Sequence, residues 1–136
     1  MTIFVDASAI VAMIAREPEA KSFGAFLTAT PDRATSPLAI WESTRGVQSA
    51  RGVAFAEARA LVADFVDAAE LRIVAIEPDD AALALDAHAQ FGKGVHPAGL
   101  NFGDCFAYAC AKRLGAALLF KGNDFLLTDI KDATLP

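Results

Sequence analysis

Four acidic residues occupy positions from which a folded chain could bring carboxylates together. Asp6 and Asp124 each come shortly after an apolar run with the character of a β-strand, Asp104 lies near the start of an apolar helical stretch, and Glu42 lies on the side of a predicted helix. Two like charges about 5 Å apart repel by roughly 3 kcal/mol at an effective dielectric near 20. Four carboxylates in one pocket would therefore be largely protonated unless a cation joined them. An oxygen-only site of this kind suits Mg²⁺ or Mn²⁺.

Three of these acids also have a purely structural interpretation. Asp6 is suited to cap the helix that follows it, because Asp is among the best N-cap residues. Asn101, followed three residues later by Asp104, resembles a capping box. Glu42 and Arg45 are spaced for an i, i+3 ion pair, which would contribute a few tenths of a kcal/mol. Spacing alone does not decide between the structural and the metal-binding interpretation.

The elements that must position the acids alternate between strands and helices. Strands are predicted at Thr2–Val5, Arg33–Thr35, Leu71–Ile76 and Ala117–Phe120. Helices are predicted at Ala9–Arg16, from Glu17 to Pro31, from Ser36 with an end or break near Gly46 and Gly52, at Val53–Ala69, at Asp80–Phe91 after an Asp79 cap, and from Asn101. This alternation predicts an α/β domain with a mostly parallel sheet. In such sheets, ligands bind at the carboxyl ends of the strands, where Asp6 and Asp124 are expected.

The helix from Asn101 has its apolar residues at helical spacing, and Phe102 and Phe106 are expected to face a core. Tyr108 lies one turn after Asp104 and is expected to hydrogen-bond it. Cys105 lies five residues before a second cysteine on this helix, so the two side chains diverge and no disulfide is expected.

Composition limits the possible functions. The chain has 136 residues, of which 54% are hydrophobic, and this is enough for one well-buried domain. No apolar run reaches membrane-spanning length and no secretion signal is recognisable, so a cytoplasmic protein is expected. The net charge of −5 excludes nucleic-acid binding through the overall field. Such binding would require a local basic rim or a metal facing the phosphates.

The one clear flexible loop runs over residues 92–99 and contains three glycines and a proline. It lacks the pattern of a Walker phosphate loop. Lys93 and His96 are placed either to reach a bound phosphate or to belong to a mobile surface loop. Ser8, two residues after Asp6, either holds a metal-bound water or hydrogen-bonds the first helical turn.

Four segments carry a resemblance to a known family: FVDASAIVAMI, SPLAIWE, GKGVHPAGLNFGDCFAYACAKRLG and LLFKGNDFLLTDI. In these segments, and in their order over nearly the whole chain, the sequence resembles the PIN-domain ribonucleases, specifically the VapC-type toxins of bacterial toxin–antitoxin pairs. The third segment is the most specific. The resemblance implies a single PIN-like domain over residues 1–136, folded as a three-layer α/β/α sandwich on a central, mostly parallel sheet.

The resemblance also assigns roles to the acids. Asp6, Glu42 and Asp104 match the acidic cluster of the family, and Asp124 matches a fourth, more variable position. The implied reaction is metal-dependent hydrolysis of RNA phosphodiester bonds. Asp6 and Asp104 would hold Mg²⁺ or Mn²⁺ directly, while Glu42 and Asp124 would orient the attacking water or bind a second ion. Many relatives have two acids where this chain has Asn123 and Asp124.

RNA contacts and partners follow from the same resemblance. Ser8, Arg45, Lys93 and Lys121 are the expected substrate-binding residues, and Arg51 is a further candidate for a basic rim. Many relatives have a basic residue in the loop where this chain has a valine at position 95. A homodimer is implied, together with a small VapB-type antitoxin whose basic segment would offset the carboxylates.

The main alternative is a phospho-acceptor signalling domain of the receiver type, which has an acidic Mg²⁺ pocket and a lysine after a late strand, where Lys121 stands. That class needs paired acids after the first strand and a phospho-accepting Asp after the third. Here the first strand supplies only Asp6, and the third is followed by Glu77. The receiver interpretation leaves Glu42 and Asp104 unexplained. A small α/β binding protein whose acids are helix caps is the remaining alternative.

Overall fold

In the computed structural model of the chain, which describes residues 1–136, strands and helices alternate along the sequence. The strands are β1 (Thr2–Val5), β2 (Asp32–Thr35), β3 (Arg72–Ile73) and β4 (Ala117–Leu119). The α-helices are α1 (Ala7–Ile14), α2 (Ala20–Ala29), α3 (Pro37–Arg51), α4 (Phe55–Ala68), α5 (Pro78–Phe91) and α6 (Phe102–Leu114), and a 3-10 helix covers Asp124–Leu127.

The strands form one sheet in the order β3-β2-β1-β4, and every neighbouring pair is parallel. The C-terminal segment continues the pairing beyond β4. The Leu118 N–H donates to the Lys131 carbonyl at 2.8 Å, and the Ala133 N–H donates to the Leu118 carbonyl at 2.9 Å. The segment that follows the 3-10 helix is thereby held along the edge of the sheet.

Both faces of the sheet are covered by helices, as the alternation of side chains in β1 shows. Phe4 packs into one hydrophobic cluster together with buried residues of α5 and α6. Ile3 and Val5 point to the other face and pack into a second cluster with buried residues of α1, α2, α3 and α4. The predicted three-layer α/β/α sandwich is confirmed, and its sheet is parallel throughout.

Several predicted element boundaries are wrong, among them that of α1, which spans Ala7–Ile14 rather than Ala9–Arg16. The third strand was expected over Leu71–Ile76, but only Arg72–Ile73 forms β3, because this strand lies at the edge of the sheet and pairs with β2 alone. Helix α5 begins at Pro78 with Glu77 as its N-cap, rather than at Asp80 after an Asp79 cap, and the Asp80 carboxylate accepts the Glu77 N–H at 2.8 Å.

Two expectations within the helices are also corrected. Helix α3 continues through Gly46, where the backbone packs closely on Val11, and ends at Gly52 with a φ of 63°. Phe102 was expected to face a core but is 69% exposed, because it lies in the first turn of α6 beyond the packed part of the helix. The two cysteines are free and buried, as expected.

None of the helices combines the length and the apolar character that a bilayer-crossing segment requires.

Candidate active site

Asp6 is held rigidly at the carboxyl end of β1. Its backbone N–H donates to the Leu119 carbonyl at 3.0 Å, and its side chain is only 5% exposed. Oxygen Oδ2 accepts the Ser8 N–H at 3.0 Å and the Ser8 hydroxyl at 2.5 Å. Asp6 is therefore the N-cap of α1, as its position suggests, and this bonding fixes the direction of its carboxylate.

Ser8 connects Asp6 to the end of β4. While its hydroxyl donates to Asp6, its Oγ accepts the Lys121 N–H at 3.0 Å. The Ser8 hydroxyl is thus committed to positioning Asp6 in this structure, and both of its hydrogen bonds lie within the protein.

Asp104 forms the capping box that its spacing suggested. Asn101 Oδ1 accepts the Asp104 N–H at 2.9 Å, and Asp104 Oδ2 accepts the Asn101 N–H at 3.0 Å. The box uses one carboxylate oxygen and leaves Oδ1 without a hydrogen-bond donor. The capping role and a role in a charged site are therefore compatible at this residue.

Glu42 reaches the same region from α3, where its carboxylate lies against the backbone of Gly103. A Cβ atom at position 103 would lie 1.9 Å from Glu42 Oε2, so only glycine permits this approach. The alternative i, i+3 ion pair with Arg45 is absent from the structure. Gly103 is a site residue that the sequence interpretation missed, although a glycine directly before Asp104 in a first helical turn was the available signal.

The four predicted acids interact electrostatically. The pKa of Glu42 is raised to about 7, mainly by burial and to a smaller extent by the charges of Asp6 and Asp104. Burial likewise raises the pKa of Asp104 to about 6 against the lowering effect of its hydrogen bond to Asn101, with Asp6 and Asp124 adding to the rise.

The pKa of Asp6 is raised for the same reasons. Burial is the largest cause, the hydrogen bonds from Ser8 oppose it, and the charge of Asp124 adds to the rise. The charges of Asp6 and Asp104 thus act on Glu42, and the charge of Asp124 acts on Asp6 and Asp104. We refer to these four residues as the acidic cluster.

No basic side chain forms an ion pair with any residue of the acidic cluster. Elsewhere the chain pairs its charges, as between Arg113 and the fully buried Asp80 at 2.7 Å. The donors available to a ligand are therefore carboxylate oxygens without a counter-charge, which is the set that a hard divalent cation prefers. No three His, Cys, Asp or Glu side chains lie close enough to hold one ion directly in this arrangement.

The predicted basic rim is only partly available. Lys121 forms ion pairs with Glu17 at 2.6 Å and Glu19 at 3.5 Å, so its charge is already balanced. The Arg51 guanidinium donates to a backbone carbonyl in α1 at 3.1 Å. Arg45 and Lys93 are exposed and form no ion pair. The pairing of Lys121 also removes the free lysine that the receiver-type alternative requires.

The remaining acid of interest, Asp129, is engaged elsewhere. It accepts the Tyr108 hydroxyl at 2.5 Å and pairs with Lys112 at 3.0 Å. The prediction that Tyr108 hydrogen-bonds Asp104 is therefore wrong, because the Tyr108 hydroxyl donates to Asp129 instead. These contacts lower the pKa of Asp129, chiefly through the hydrogen bond from Tyr108.

The chain is similar over nearly its whole length to known proteins of one family. The family model for the PIN domain matches residues 3–131. The ribonuclease VapC30 of Mycobacterium tuberculosis is 39% identical over 132 residues, which cover 97% of this chain and 98% of that protein. A VapC ribonuclease of Rhizobium meliloti is 40% identical over 139 residues, covering 93% and 98% respectively.

A solved structure shares the fold. The crystal structure of Mycobacterium tuberculosis VapC20, described as a toxin that cleaves the sarcin–ricin loop, matches with a TM-score of 0.73 at 17% identity, covering 95% of this chain and 96% of that one. The family match over nearly the full length, together with the two closely similar VapC ribonucleases, shows that this chain belongs to the PIN domain family, in its VapC branch.

Proposed function

We propose that this protein is a metal-dependent endoribonuclease that acts as the toxin of a VapBC-type toxin–antitoxin pair. The observation that carries the proposal is the acidic cluster, in which four carboxylates from distant parts of the chain share one field without a basic partner. Burial and mutual repulsion keep the pKa of Glu42 at about 7. Keeping these carboxylates ionised costs free energy unless a cation binds. Acids whose pKa values are strongly shifted in this way mark functional sites.

The proposed cofactor is Mg²⁺ or Mn²⁺. When bound, the ion supplies Lewis-acid chemistry, because it acidifies a coordinated water and offsets the charge that develops on the phosphoryl oxygens. Asp6 and Asp104 would hold it, the first fixed by Ser8 and the second through the oxygen that its capping box leaves free. Glu42 and Asp124 would orient the attacking water or contribute to a second ion. Since no three side chains form a closed site, we expect the ion to keep water among its ligands.

The proposed substrate is RNA with unpaired nucleotides, because a paired A-form helix hides its base edges in a deep, narrow groove. Arg45 and Lys93 are the predicted contacts whose charges are not already paired within the protein. Two phosphate contacts predict a shallow dependence of RNA affinity on salt, with a slope near −1.4 in logarithmic units. A flat dependence would show that neither residue contacts a phosphate.

The proposed partners are a VapB-type antitoxin and a second copy of this chain, in the cytoplasm. A basic antitoxin segment placed across the acidic cluster would supply the counter-charge that the chain itself lacks. Light scattering of the purified protein tests the homodimer directly. Replacing a basic residue of the antitoxin segment should lower the affinity of the antitoxin for this protein tenfold, which would support the placement of that segment at the acidic cluster.

Incubation with structured RNA tests the activity. We expect cleavage in Mg²⁺ or Mn²⁺, none in EDTA, and none with Asp104→Asn. Asp64→Asn is the matched control, because Asp64 is an exposed acid on α4 without an ion pair. Cleavage that persists in EDTA would refute metal dependence, and full activity of Asp104→Asn would remove the acidic cluster from the reaction.

A further inference from the structure

A groove between α5 and α6 lies outside the acidic cluster, and of its lining residues only Lys93 is among the RNA contacts proposed above. It encloses about 600 Å³, within the range of small-ligand sites. Seven of its ten lining residues are hydrophobic, and none of the ten is acidic. The basic side chains on its walls are Lys93 and His88, in a chain whose net charge is −5. We call this feature the α5–α6 groove, and its charge complements an anionic ligand with an apolar part.

The groove presents an exposed aromatic side chain. Phe102 is 69% exposed and meets Phe106 edge to face, with ring centroids 5.2 Å apart and planes at 65°. The Phe106 contact holds one edge of the Phe102 ring, and most of the Phe102 surface remains accessible. Exposed aromatic rings are the surfaces on which proteins stack unpaired bases.

The groove is directly connected to the acidic cluster through the N-terminus of α6. Asn101 lines the groove and also forms the capping box with Asp104, at 2.9 and 3.0 Å. Phe102 and Asp104 are two residues apart, so their Cα atoms are about 5.5 Å apart and their side chains leave the helix roughly 200° apart. A strand crossing the start of α6 would therefore meet the acids on one side and the groove on the other.

We propose that the α5–α6 groove binds the base of an unpaired nucleotide next to the scissile bond of the RNA substrate. The base stacks on Phe102 against Phe106, and Lys93 contacts the adjoining phosphate. This inference rests on the proposed ribonuclease function and adds a specificity-determining residue to it. The loss of one base–aromatic stack corresponds to a decrease in affinity of about five- to hundredfold.

Binding of labelled oligonucleotides tests the proposal. The probes are a twelve-residue oligoadenylate, a twelve-residue oligouridylate and an abasic oligomer of the same length, measured in Mg²⁺ with the Asp104→Asn variant so that no probe is cut. We expect this variant to prefer the base-containing probes by five- to hundredfold. Adding Phe102→Ala should abolish the preference, while Phe102→Trp should retain it.

Phe55→Ala is the matched control, because Phe55 is 50% exposed but lies on α4, away from this groove. It should leave the preference for bases unchanged. A preference that survives Phe102→Ala would overturn the proposal. A change from dimer to monomer in Phe102→Ala, measured by light scattering, would also overturn it, since the groove would then be covered by a second copy. Failure of the wild-type protein to cleave RNA would instead refute the proposed function, which these binding measurements do not test.

Discussion

The acidic cluster should make the metal-free protein less stable as the pH rises toward neutrality, and Asp104→Asn should remove part of this loss. Burial is the main reason that the pKa of Asp104 is raised from 3.8 to about 6 and that the pKa of Glu42 is raised from 4.5 to about 7. Between pH 4 and 7 the folded chain therefore binds more protons than the unfolded chain. The free energy of unfolding then falls as the pH rises through this window and becomes constant above it.

The size of the effect follows from the pKa of Asp104. A rise of one unit corresponds to about 1.4 kcal/mol, so the full rise corresponds to about 3 kcal/mol. Asp104 is partly exposed, and screening by solvent reduces this to about 1–2 kcal/mol. Asparagine keeps a side-chain oxygen that can accept the Asn101 N–H, so the variant retains the capping box while losing the charge.

Urea unfolding in EDTA at pH 5 and pH 8 measures the prediction. Asp104→Asn should exceed the wild type by about 1–2 kcal/mol at pH 8 and by roughly half of that at pH 5, because Asp104 in the unfolded chain already ionises above about pH 4. Asp64→Asn should follow the wild type at both. Mg²⁺ at a hundred times its dissociation constant should stabilise the wild type by about 2.7 kcal/mol and the variant by less. Lower stability of Asp104→Asn at pH 8 in EDTA would refute the reasoning, because the carboxylate would then act mainly as a cap.

Two further predictions concern backbone fit and a buried ion pair. Gly103→Ala should reduce RNA cleavage at least tenfold with the fold intact by circular dichroism, because the new Cβ would lie 1.9 Å from Glu42 Oε2. Gly24→Ala is the matched control, because a Cβ added at Gly24 in α2 would have no neighbouring atom within 4 Å, and it should leave cleavage unchanged. Unaltered activity of Gly103→Ala would mean that the position of Glu42 is not critical. Arg113→Met should lower the free energy of unfolding by about 3–5 kcal/mol in urea at pH 7, because it leaves the Asp80 carboxylate buried without its partner. A loss below 1 kcal/mol would show that Asp80 finds water or a proton at little cost.

The central strands were predictable from local sequence, while the edge strand was not. Thr2–Val5 is a continuous apolar run because both faces of β1 are covered by helices, and such runs are typical of buried parallel strands. The stretch Leu71–Ile76 is similarly apolar, yet it has a neighbour on one side only and pairs over two residues. The number of neighbours that a strand will have is a property of the whole sheet.

Periodicity in a helix predicts which face is apolar, but not how much of that face is covered. Phe102 lies at core spacing in α6 but belongs to a first turn whose cap, Asn101, is itself exposed. Residues further along the same helix, such as Cys110, are fully buried as expected. Burial of the first turn depends on where the neighbouring layers end, and that information lies in other elements.

The sequence allowed either a capping role or a metal-binding role for Asp6 and Asp104, and the structure makes the two roles compatible. Both residues cap helices, and both also contribute charge to the acidic cluster. The pairing of Lys121 with Glu17 joins residues 104 positions apart, so no local pattern could have indicated it. The approach of Glu42 to Gly103 likewise depends on the packing of α3 near α6.

If the protein acts as proposed, its distribution of charge predicts that RNA binding requires an external cation. The chain neutralises other acids internally, through Arg113 at Asp80 and Lys112 at Asp129, yet it places no basic side chain against the acidic cluster. The same uncompensated field that attracts a divalent ion repels a phosphodiester. RNA should therefore bind weakly in EDTA and tightly only when an ion is present. A basic segment of the proposed antitoxin would act on this same field, so we expect inhibition and metal binding to compete for one set of carboxylates.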